Sequence, residues 1–99
     1  MNVNNQKILK RLPHGADLQE ALTEAARLEN IRSGWLMAIG AVRKARIGYY
    51  DQETREYRET DLDRTMEICS CLGNISVKDG EIFVHAHITL AGEDGRVLG

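Results

Sequence analysis

The chain has almost no proline, no long apolar run and no surplus of either charge, and each shortage closes off a class of function. One proline in 99 residues, with no low-complexity tract, argues against a disordered or linker-like protein. No apolar segment approaches the ~20 residues that a membrane-spanning helix needs. A net charge of −2 gives the fold as a whole no strong field to attract nucleic acid or an anionic membrane, and no basic run changes this locally. The opening Met1-Asn2-Val3-Asn4-Asn5-Gln6-Lys7 lacks the apolar core of a signal peptide, so a cytoplasmic protein is expected. Cysteine is scarce too. Cys69 and Cys71 are too close along one stretch for an ordinary disulfide, which needs facing Cβ atoms, and they fit a reducing compartment. What remains is 42% apolar and 28% charged residues, the composition of one globular domain over residues 1–99. At this size folding removes only roughly 60–70% of the unfolded chain's surface from water, so the core is small.

The chain reads as α+β, with a central, largely antiparallel sheet and one main helix between the first and second strands. Lys7 to Leu12, apolar at Ile8, Leu9 and Leu12 and stopped by Pro13-His14-Gly15, reads as a first strand and turn. Asp17 is a helix N-cap with Glu20 three residues on. Leu18, Ala21, Leu22, Ala25 and Leu28 then recur at helical spacing up to Asn30, with Gln19, Glu24 and Arg27 on the solvent side. Gly34 to Asp51 is extended and apolar on both faces through Trp35-Leu36-Met37-Ala38-Ile39; its length predicts a bulge or bend near Gly40 or Arg43. Gln52-Glu53-Thr54 turns the chain into the charged strand Glu56-Tyr57-Arg58-Glu59-Thr60, suited to a sheet edge. Met66 to Val77 makes another strand, and Lys78-Asp79-Gly80 is a hairpin turn into the last long strand.

That last strand carries the most chemistry. Ile82, Val84, Ala86, Ile88 and Leu90 form one apolar face, while His85, His87 and Thr89 project from the other. Two imidazoles on one strand face can address a single zinc or another divalent transition metal, though zinc sites use three or four protein ligands. A strand histidine can equally pack or hydrogen-bond, and His14 reads as a solvated turn residue. Cys69 and Cys71, taken to share a strand face with Glu67, read as buried small hydrophobes rather than as half of a Cys2His2 site. Arg43, Lys44 and Arg46, followed by Tyr49 and Tyr50, are the only basic cluster and the candidate contact for nucleic acid; a solvated strand edge explains them as well. Ser33, Ser70 and Ser76 lack the glycine-flanked turn of a serine nucleophile, so no catalytic set is complete. Gly92-Glu93-Asp94-Gly95 has turn chemistry and reads as a hairpin.

Met37-Ala38-Ile39-Gly40-Ala41-Val42, Ile47-Gly48-Tyr49-Tyr50-Asp51, Tyr57, Glu67-Ile68, Gly73-Asn74-Ile75-Ser76 and the closing His85-x-His87 to Gly99 stretch stand in a telling order and spacing. In these the chain resembles the PPC domain, the "plants and prokaryotes conserved" family. The resemblance implies an α+β domain assembled as a homotrimer and a binding or regulatory role, with DNA as the partner to consider. In plants the domain accompanies AT-hook motifs in nuclear DNA-binding proteins, and free-standing prokaryotic members are commonly regarded as candidate DNA-binding proteins.

Three departures qualify what carries over. No Arg-Gly-Arg-Pro core of an AT-hook occurs, so the element that would enter an A·T-rich minor groove is missing. The prokaryotic pattern continues past the final glycine into a second glycine, a histidine and further strands. The chain is therefore expected to be C-terminally incomplete relative to the family, without a third imidazole to join His85 and His87. Leucines usually stand where Cys69 and Cys71 do, which supports the buried-thiol reading. The expected function is thus a trimeric binding module, with a metal-binding protein or metal-dependent hydrolase as the alternative.

Overall fold

The computed structural model describes residues 6–99; the leader reading of Met1 to Asn5 lies outside the described residues. In chain order the elements are α1 (Leu18–Leu28), β1 (Gly34–Val42), β2 (Ala45–Asp51), β3 (Glu56–Leu62), β4 (Met66–Lys78), β5 (Glu81–Ala91) and β6 (Val97–Leu98). Hydrogen bonding orders one sheet β1-β4-β5-β6 and a second β2-β3, so the α+β class holds. Among the described residues no helix is long and apolar enough to cross a membrane. Contacts divide the chain into two compact units: residues up to Gly34 with Ile75–Val84, and Trp35–Asn74 with His85–Gly99.

The first unit holds the helix and the tip of the β4–β5 hairpin. The Asp17 carboxylate accepts the Glu20 N–H at 3.0 Å, satisfying one of the orphan donors of the first turn. At the other end Asn30 takes φ 53°, the Asn30 N–H donates to the Arg27 carbonyl and the Ile31 N–H to the Ala26 carbonyl. This is a Schellman closure with asparagine in the left-handed position. Ala26 is buried, whereas Leu28, expected on the apolar face, sits exposed in the final turn. Gln19, expected in solvent, instead donates its Nε2 to the Val84 carbonyl at 2.5 Å and ties the helix to the hairpin. Ile75 and Val84 are the hairpin's buried residues, and the Asp79-Gly80 turn has φ of 52° and 79°, the two positive values of a type I′ hairpin.

One expected strand is not formed. Lys7 to Leu12 is irregular, so the helix precedes every strand among the described residues instead of lying between the first two. Its apolar residues Ile8, Leu9 and Leu12 do not alternate, so they cannot supply one strand face, and Leu9 is fully exposed.

In the second unit Met66, Ile68, Cys71 and Leu90 are buried. The long extended stretch breaks at Arg43-Lys44, as its length required, and its halves enter different sheets. Past the break, β2 and β3 pair antiparallel from Ala45↔Leu62 to Asp51↔Glu56. The Asp51 carboxylate accepts the Glu53 and Thr54 N–H groups in the connecting turn, an Asx arrangement. Tyr50 and Tyr57 meet edge to face, 5.0 Å between centroids, and Tyr57 lies over Gly48, where a Cβ would come within 3.3 Å of its ring. Gly92 to Gly95 closes the expected hairpin into β6, with Leu90↔Leu98 and Ala91↔Val97 paired.

Candidate functional site

Period-two alternation on β5 buries Val84 and Leu90 and leaves His85 and His87 exposed on the opposite face. The two rings tilt by 33° with centroids 5.4 Å apart, and their Nε2 atoms converge to 3.3 Å. Two imidazole nitrogens bound to one zinc at 2.0–2.1 Å and a tetrahedral angle stand about 3.3–3.4 Å apart, so the observed separation fits two donors on one ion. Among the described residues no third histidine, cysteine or carboxylate joins them. His14 lies in a turn of the first unit, as expected.

The thiols part company. Burial along β4 alternates through Met66 and Ile68, then resumes at Cys71 and Ile75, one residue out of phase. Strict alternation of burial therefore fails across Cys69-Ser70, where both residues are exposed. The expected burial of both thiols holds for one of them: Cys71 is buried, but Cys69 is exposed, as is Glu67. Burial pushes the Cys71 thiol above its ordinary pKa. Under native conditions one thiol per chain, Cys69, should react promptly with an aromatic disulfide reagent, and the second only on unfolding. Two equivalents of rapid release from the native protein would contradict the burial of Cys71.

The basic cluster is also divided. Arg43 and Lys44 stand exposed in the β1–β2 link, whereas Arg46 lies within β2, its Nε donating to Asp61 at 2.7 Å with Glu59 at 3.6 Å. Hydrogen bonding and then charge from Arg46 hold the Asp61 carboxyl below its usual range. Arg46 is thus engaged by carboxylates of β3, and two free-standing charges remain of the three.

Sequence reasoning missed two features. On β1, Trp35, Met37 and Ile39 are 73%, 67% and 85% exposed, an apolar row on a strand read only as apolar on both faces. Leu72 on the neighbouring β4 is exposed as well. Gly73 lies against β5, and a Cβ there would come within 3.0 Å or less of His85 and Ala86 atoms.

Fold and site together define a small α+β domain whose four-stranded sheet carries an exposed imidazole pair and an exposed apolar row. The chain belongs to the Plants and Prokaryotes Conserved (PCC) domain family, whose model matches residues 3–99. Crystal structures of relatives agree. A plant- and prokaryote-conserved protein of Pyrococcus horikoshii superposes with a TM-score of 0.85 at 35% identity, over 99% of this chain and 72% of its own. A metal-containing protein of Archaeoglobus fulgidus gives 0.84 at 43% identity, over 100% and 73%. A candidate DNA-binding protein of Ralstonia eutropha gives 0.81 at 30% identity, over 89% and 60%. No curated protein matched significantly.

Proposed function

We propose that this chain is a cytoplasmic PCC binding module that works as a homotrimer and holds a divalent transition metal, zinc foremost, on His85 and His87. The observation that carries the metal reading is the convergence of two Nε2 atoms to 3.3 Å on an exposed strand face. The 43%-identical Archaeoglobus fulgidus relative, a metal-containing protein, supports it. His85 and His87 would hold such an ion from one strand, as two of the three or four protein donors that zinc sites use. Such a metal, when bound, supplies Lewis acidity or a template for a ligand. The exposed row of Trp35, Met37 and Ile39 supports assembly, since contiguous apolar surface on a small domain marks an interaction site. The two free thiols suit a reducing compartment.

Elemental analysis tests the metal. After loading with zinc and desalting, wild type should retain metal that the double variant His85→Ala, His87→Ala lacks. Equal content in the two would end this reading.

DNA binding is the second reading, favoured by relatives regarded as candidate DNA-binding proteins from Bacteroides thetaiotaomicron and Ralstonia eutropha. Arg43 and Lys44 are the exposed cations of the sequence-identified cluster that no carboxylate of β3 engages. Affinity for duplex DNA carried by two such contacts falls with salt at a logarithmic slope of about −2 per chain. Absence of duplex binding at low salt removes the function from this domain.

A further inference from the structure

Gly73 stands against the part of β5 that carries the imidazoles. The two-residue Asp79-Gly80 turn places Lys78 opposite Glu81; counting back along both strands puts Gly73 opposite Ala86, Asn74 opposite His85 and Leu72 opposite His87. The space at Gly73 agrees with that register. A Cβ built there would lie 2.4 Å from the His85 carbonyl oxygen, 2.9 Å from the Ala86 Cβ and 3.0 Å from the Ala86 Cα. These atoms belong to backbone or to a methyl fixed on it, and none can swing aside. Gly73 has no left-handed backbone angle to explain its presence, so close approach is its reason. On the other side of β5 a Cβ at Gly99 would lie 2.4 Å from the Ile88 carbonyl oxygen and 3.3 Å from the Thr89 Cα. The segment from His85 to Thr89 is therefore approached closely by a glycine on each flank.

We propose that Gly73 is the positioning residue for the His85–His87 pair. By letting β4 come this near to the His85–Ala86 peptide, it fixes the backbone between the two histidines and with it the spacing of their Nε2 atoms. The consequence for metal affinity rests on the metal reading; the positioning itself does not. A methyl group at position 73 must push the His85–Ala86 peptide away by roughly 0.5–1 Å to reach ordinary contact distance. Binding constellations tolerate about 0.5 Å before they lose productive geometry.

The test compares Gly73→Ala with Ile68→Val, a change at a buried position of the same strand that lowers stability without touching the histidines. Two readouts are taken on folded protein. The first, without metal, is the ring-to-ring nuclear Overhauser effect between His85 and His87, present in wild type. The second is titration with cobalt(II), followed by its visible absorption. Gly73→Ala should lose the ring contact and bind cobalt roughly ten- to hundredfold more weakly, the range seen when a residue supporting metal ligands is removed. Ile68→Val should keep both. Retention of the ring contact in folded Gly73→Ala overturns the proposal, as does its loss in Ile68→Val, which would make the effect one of general loosening. A wild type with the ring contact but no cobalt binding ends the metal reading and leaves positioning to be judged on the first readout. Should Gly73→Ala not fold, the double variant Gly73→Ala, Ala86→Gly relieves the methyl contact and keeps the one at the His85 carbonyl. The same ring readout then decides.

Discussion

Leu90→Ala should abolish most of the domain's resistance to heat, lowering the melting midpoint by roughly 12–24 °C if the cost is about 3 kcal/mol. Leu90 is 0% exposed on β5 and sits in a small core with Met66, Ile68 and Cys71. Truncating a buried leucine forfeits its transfer energy and leaves a cavity, together costing about 2–5 kcal/mol. Domains of this kind are stable by only about 5–15 kcal/mol, so one substitution removes a large part of the whole. Leu9→Ala, at a fully exposed position outside any strand, supplies the contrast and should leave the stability within about 0.5 kcal/mol of wild type. Calorimetry or circular dichroism melts check both. A Leu90→Ala protein that melts like wild type would mean the buried face of β5 is not part of the core.

Ile39→Asp should convert the proposed trimer into single chains without unfolding them. Ile39 is 85% exposed within one chain, flanked on its strand face by Met37 and Trp35, so a carboxylate there meets water in the monomer and costs the isolated fold little. In a trimer that covers this row, the same carboxylate would be taken out of water without a partner. Such burial costs several kcal/mol at each interface where it occurs. Light scattering at micromolar concentration should give wild type three times the 11.1 kDa chain mass and the variant one chain mass. A monomeric wild type removes the trimer reading. A trimeric Ile39→Asp moves the interface away from this row.

What could be read in advance was local chemistry. Asp17 with Glu20 and Asp79-Gly80 between alternating segments each act through bonds within a few residues, and each formed as its type dictates. The histidine row was legible for the same reason, since alternation alone sets its face. Features that depend on a distant partner were not. The break in alternation at Cys69-Ser70 changes no residue type and shows only in the burial of the folded strand, so Cys69 was taken as buried when it is exposed. Lys7 to Leu12 has strand-forming residues but no alternating face to offer a sheet. Arg46 looked like part of a basic cluster until its register partner, Asp61, was known from the pairing of β2 with β3. Gly73 appeared only as part of a familiar string of letters, because its neighbour across the sheet is thirteen residues away in sequence.

The β2–β3 ribbon also bears on solubility. A two-stranded sheet leaves an outer edge on each strand, and unpaired edges invite other chains to add on and grow into fibrils. Here the ribbon bears Arg46, Glu59 and Asp61 along one stretch and Arg58 with Asp51 along another, so an incoming strand would have to strip water from charge. Mild acid erodes such a guard by neutralising carboxylates. Arg46, by hydrogen bond and then by charge, holds the Asp61 carboxyl below its usual range, so that position of the ribbon keeps its ion pair further into acid than an unpartnered carboxylate would.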